Sequence, residues 1–183
     1  MFGWFRRTTP VEDRVWIDAP ACARGVRAQV DHALRQRAAV LLLTRSLTDR
    51  EDLARDFAAH APRIGGDRLA ADDLREHLRT PAALGVAALA DLRASPAAAA
   101  HRPVPLEIHV LGRSARRGDD RGLIAQLGRW APVRIVFHHS LDDALLEPHA
   151  GALQPLLQKL GLRADEPIAS PLLTRAIERA QRP

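Results

Sequence analysis

The chain has 183 residues, 46% of them apolar and 27% charged, the balance of a globular protein rather than a disordered one. Basic residues outnumber acidic ones by 27 to 22, and all of the basic ones but Lys159 are arginine. This permits anionic partners without specifying one, because the charges are spread along the chain. The lone cysteine, Cys22, excludes an internal disulfide, and no apolar run reaches the length of a membrane span. With 4% aromatics and no Tyr, the core is expected to be Ala, Leu, Val and Ile in a reducing, cytoplasmic setting.

Residues 1–14 read as a tail without the long apolar stretch of a signal peptide. Phe2, Trp4 and Phe5 beside Arg6 and Arg7 suit either a peripheral membrane contact or a tuck onto the domain. Val15, Trp16 and Ile17 make a short strand. Residues 21–37 then place Val26, Val30, Ala33 and Leu34 on one stripe, with arginines elsewhere, which predicts an amphipathic helix. Residues 38–43, AAVLLL, are apolar throughout, as a strand buried on both faces of a parallel sheet must be. Thr48, with Glu51 three residues on, is the expected capping box of the next helix. Residues 62–68 read as a loop, 70–79 as a short charged helix and 84–89 as a buried strand. The alanine-rich, proline-bounded residues 95–105 read as a linker.

A strand at 106–111 precedes a turn rich in Gly and Arg, and Asp119 or Asp120 is expected to cap the helix carrying Leu123, Ile124, Leu127 and Trp130. Pro132 stops that helix, 133–137 form the next strand, and SLDDALL from Ser140 predicts a short helix. Residues 153–160 repeat leucine at helical spacing before Gly161. Ser170 and Pro171 then open a last helix, with Leu173 and Ile177 on one side and Arg175 and Arg179 on the other. Strands alternating with helices predict an α/β fold with a mainly parallel sheet, ending in a helical corner.

The string KLGLRADEPIASPLLTRAIERAQ resembles the junction in SecA preprotein translocase motors where the second RecA-like lobe passes into the long scaffold helix. Thr44 and Ser46 fall on the family's Thr-x-Ser turn after a strand. His109 to Gly112 is similar to the family's HVIG, Gln126 and Leu127 lie in step with QLRGR, and SLDDAL at 140–145 resembles SLEDEL. The resemblance implies a RecA-like lobe, P-loop NTPase-like, at 15–148, with a C-terminal helical corner at 149–183 packed on it. It also implies a degenerate, stand-alone second motor lobe. No GxxxxGK[ST] phosphate loop and no acidic Mg²⁺ box occur in the chain, and the arginine-finger motif is displaced, with QLGRWAPV in its place. GRSARRGDD at 112–120 mimics the lost motif and is read as a coincidence of Arg-rich composition.

The expectation is therefore no catalytic residue, no ATPase activity of its own and no cofactor, with ATP entering only if a partner lobe completes the site. Thr44, Ser46, Gln126 and Arg129 are the residues that would then face a nucleotide. The implied partners are a SecA-type motor, a separate first lobe or an export substrate, with Leu173, Arg175, Ile177 and Arg179 as contact candidates. Arg113, Arg116, Arg117 and Arg121 form the densest basic patch, either an anion site that admits nucleic acid or a solvated loop. A zinc site is not expected, since His138 and His139 are adjacent on a strand and point to opposite faces.

Overall fold

The computed structural model describes residues 9–66, 71–92, 103–148, 150–151 and 166–182. The aromatic tail, the linker residues 95–102 and the first helix of the expected corner, 153–160, lie outside them. Strands β1 (Val11–Trp16), β2 (Ala39–Thr44), β3 (Arg63–Ile64), β4 (Leu84–Ala88), β5 (Leu106–Leu111) and β6 (Arg134–Ser140) form one sheet in the order β1-β6-β5-β2-β4-β3. Every pairing is parallel, so the architecture is an α/β sheet of the RecA-like kind.

Helices α1 (Ala19–Arg35) and α2 (Leu47–Asp56) cover one face of the sheet. Val26, Val30 and Phe57 pack there on Val40, Leu42 and Val86. Helices α3 (Ala71–His77) and α4 (Arg117–Gly128) cover the other, where Leu74, Leu78 and Leu127 meet Leu41, Leu43, Ile108 and Val110. With helices on both faces, β2 is buried at all six positions, which is why its sequence is apolar without alternation. Helix α5 (Pro171–Ala180) lies against the edge strand β1, with Ile177 in a small third cluster beside Val15, Leu141 and Leu146.

Helix α1 comes unusually close to β1. A Cβ on Gly25 would sit 1.9 Å from the ring of Trp16, itself buried, so only glycine fits.

Five sequence expectations need correction. Ser46, not Thr48, caps α2: its hydroxyl accepts from Asp49 N at 3.1 Å, because the chain is still extended at Ser46 when it leaves β2. The loop expected at 62–68 contains β3, whose Arg63 and Ile64 pair with Gly85 and Val86. Two residues carry no periodicity to read. The first strand begins at Val11 and stops at Trp16, ahead of Ile17. Neither Asp119 nor Asp120 caps α4. Arg116 is the cap residue without a side-chain bond, and Asp120, one turn in, points into the protein. Residues 141–146 form turns rather than a helix, because the Asp143 carboxylate accepts from Ser140 N at 3.1 Å and its Oγ at 3.2 Å.

Candidate functional site

In open α/β sheets ligands bind outside the carboxyl ends of the strands where the strand order reverses. Here that crevice lies between β2 and β5, since the chain moves outward from β2 to β3 and then returns through β5 and β6 toward β1. Charged side chains fill it. Arg45, just after β2, donates to Gly112 O and to Asp120 Oδ1, each at 3.1 Å. Arg113, just after β5, turns inward with only 3% of its side chain exposed. Its Nε and one terminal nitrogen grip Asp13 of β1 at 2.6 and 2.9 Å, its face lies 4.2 Å from the Phe137 ring centroid, and its other nitrogen is 3.6 Å from Asp120. His139 Nε2 donates to Asp13 at 3.2 Å, and its Nδ1 is 3.6 Å from Asp143, an ionic contact too long for a hydrogen bond. Burial alone would raise the Asp13 pKa. Hydrogen bonds from His139 and Arg113 and the Arg113 charge outweigh burial and hold it at about 2. For His139, burial is outweighed by the two carboxylates, and its pKa is raised.

The network extends into α5. Gln181 Nε2 donates to Asp120 at 2.5 Å and to Ser114 O at 2.7 Å, Thr174 bonds to Asp13, and Arg117 meets Glu178 at 2.6 Å. Backbone pairs between Arg117 N and Arg182 O and between Arg182 N and Ala115 O close the seam at 3.0 and 2.8 Å. Among the described residues, the charges at the switch point are therefore matched to one another, and Arg113 is committed to Asp13. A buried charge needs its partners in place, and here Asp13 is met by Arg113, His139 and Thr174, although His139 Nδ1 and Gln181 Oε1 make no hydrogen bond among the described residues.

A second buried file runs under α1. Trp16 Nε1 donates to His138 Nδ1 at 3.4 Å, His138 Nε2 meets His109 Nδ1 at 2.9 Å, and His109 Nε2 meets Glu107 at 3.4 Å. The tautomers follow from the two ends. Indole can only donate and carboxylate only accepts, so each neutral imidazole carries its hydrogen on Nε2 and the file points from Trp16 to Glu107. Burial lowers both histidine pKa values. Glu107, pushed up by burial, is held at about 2 by His109 and Arg134. A cleft of about 520 Å³ opens above His138, lined by Cys22, Leu53, Phe57 and Ser140. Both nitrogens of His138 are engaged, so it offers no base there. The Cys22 thiol, pushed up to about 12 by burial and Asp143, offers no thiolate. Among the described residues, no group of three His, Cys, Asp or Glu is placed to hold a metal ion, and no helix is long and apolar enough to cross a membrane.

The nucleotide-facing candidates do not converge. Thr44 ends β2 and bonds to Ser46 O, while Ser46 caps α2. Gln126 is turned inward to Leu92 O at 2.5 Å. Arg129 is exposed at the far end of α4, a strand length of roughly 20 Å from Thr44. Of the basic patch, Arg113 is buried, Arg117 is paired, and Arg116 and Arg121 are exposed. Of the contact candidates, Ile177 is buried and Leu173 half-buried, whereas Arg175 and Arg179 are exposed. Sequence reasoning missed Asp13, Arg45, Asp120 and Gln181. The one available signal was Glu-Asp-Arg interrupting the apolar residues of the first strand.

No family model matches the chain. The chain is similar to the protein translocase subunit SecA of Emiliania huxleyi, 37% identical over 83 residues, which is 45% of this chain and 8% of the relative. It is also similar to SecA of Treponema denticola, 35% identical over 82 residues, 44% of this chain and 8% of the relative. SecA of Symbiobacterium thermophilum matches at 35% over 83 residues, again 45% and 8%. The matched region thus spans less than a tenth of each relative's length. A region of this α/β chain is related to SecA.

Proposed function

We propose that the chain is a degenerate counterpart of the second motor lobe of SecA, acting through protein contacts in or near protein export and not turning over ATP by itself. The observation that carries the reading is the similarity to SecA over 45% of the chain. The interior agrees with it. Arg113, which stands in the finger-like string GRSARRGDD, is occupied by Asp13, and Gln126 by a backbone carbonyl. A transferring phosphoryl group needs a cation free to reach it with ångström-scale placement. Partners of this reading are a SecA-type motor, a chain bearing the first lobe, or an export substrate.

The test is phosphate release from Mg²⁺-ATP by the purified chain. The expected result is no release above the protein-free blank. Steady turnover by the chain alone would reject the reading. Turnover appearing only when a first lobe is added would replace it with a lobe that completes an ATP site in trans, using Arg129.

A further inference from the structure

We propose that the arginine face formed by α5 and the β5–α4 turn docks an acidic polypeptide segment. The inference rests on the reading of the chain as a protein-contact lobe and names the chemistry of the contact.

Two groups of arginines far apart in sequence become one surface. The paired backbones of Arg116 and Arg182 set the β5–α4 turn against the end of α5. On α5, Thr174 and Ile177 face the lobe, as does Gln181 just past its end, while Arg175, Arg179 and Arg182 are exposed, Arg175 at the rim of the cleft lined by Glu12, Asp13 and Thr174. On α4, Arg121 stands one turn beyond Arg117, whose pairing with Glu178 joins the two helices. Arg116, Arg121, Arg175, Arg179 and Arg182 are all exposed, and none has an ion-pair partner among the described residues. Among the described residues, five guanidinium groups without an ion-pair partner therefore accompany one satisfied pair. Elsewhere arginines are mostly matched, as Arg45, Arg50, Arg113 and Arg134 are.

The kind of anion follows from what surrounds these groups. Guanidinium forks fit carboxylates in pairs of parallel hydrogen bonds. Single-stranded nucleic acid would want aromatic platforms, yet the described aromatic residues, Trp16, Trp130, Phe57 and Phe137, are all buried. An anionic bilayer would want apolar side chains beside the cations, yet among the described residues the exposed large apolar ones, Leu47, Ile64 and Val133, lie in α2, in β3 and just before β6. Asp119 and Glu178 interrupt the face, which disfavours a continuous phosphate backbone and leaves room for a peptide with spaced carboxylates.

The test measures anisotropy of a labelled glutamate-rich peptide, a single-stranded oligonucleotide of equal charge, and co-sedimentation with phosphatidylglycerol vesicles, all at low salt. The peptide is expected to bind most tightly. The double variant R175E/R179E should weaken it roughly tenfold, Arg121→Glu less, and the control R24E/R35E on the opposite sheet face not at all. All three variants should keep the wild-type melting temperature, since these side chains touch solvent. Tighter binding of the oligonucleotide or vesicles, or equal loss in the control, overturns the proposal. Absence of peptide binding does so too. If a translocase motor is still recovered from lysate in that case, the broader reading stands. If nothing is recovered, both fail.

Discussion

Replacing Arg113 by Met keeps the apolar contact with Phe137 and removes the charge. Asp13, 2% exposed, would then keep His139 and Thr174 but lose both short guanidinium bonds, 2.6 and 2.9 Å, and Asp120 would lose its nearest buried cation. Breaking one side of a buried pair costs about 3–5 kcal/mol, a large fraction of the roughly 5–15 kcal/mol that holds a domain together. In urea, with a slope of about 2 kcal/mol per molar, the midpoint should fall by roughly 2 M. The double variant D13N/R113M should recover part of this loss, because no uncompensated charge remains. The pH dependence gives an independent reading. Asp13 has a folded pKa of about 2 against an ordinary 3.8. Its depressed value stabilises the fold above pH 3.8, a contribution of about 2 kcal/mol that is lost as pH falls from there toward 2. That acid limb should shrink in Arg113→Met. A midpoint within about 0.5 M of wild type would refute the claim that this pair locks the switch point.

Three further outcomes follow from the packing. Gly25→Ala should destabilise by about 2 kcal/mol in thermal melts and shift Trp16 fluorescence, since the new methyl meets the ring at 1.9 Å. His138→Phe leaves the Trp16 indole N–H and His109 Nδ1 without partners, while His109 keeps Glu107 on Nε2, and should cost about 1–3 kcal/mol. His109 and His138 have lowered folded pKa values, so their contribution is present above the unfolded value of 6.5 and lost as pH falls below it. The His138 variant should therefore lose stability less steeply between pH 7 and 5, where His139, whose raised pKa acts in the opposite sense, is unchanged. Cys22 should react slowly with a thiol reagent at pH 8 in the native protein and rapidly in urea; fast native labelling would show the thiol is not held near 12.

The parallel sheet was legible because burial on both faces leaves its mark residue by residue. The run AVLLLT of β2 admits few other readings, and LEIHVL of β5 differs only at the two polar members of the histidine file. Local chemistry also placed Pro171 correctly at the start of α5. Failures came where the deciding partner lies far along the chain. Asp120 resembles a helix cap in isolation, yet its carboxylate answers to Arg45 and Gln181, 75 and 61 residues away. Arg113 resembles a finger or a solvated loop residue, but its partner Asp13 is 100 residues away. The opposite facing of His138 and His139 needed only the two-residue period of a strand, and it holds. Arg116 and Arg182 meet only because α5 folds back on the lobe, which no local pattern announces.

The central claim, contact with a translocase motor, is tested most directly by co-purification from native lysate on the immobilised chain, with and without ATP, followed by identification of what is retained. The expected result is recovery of a SecA-type motor, a first-lobe chain or export substrates, in amounts that ATP leaves unchanged. Recovery of nucleic acid alone, or of no specific protein, would contradict it.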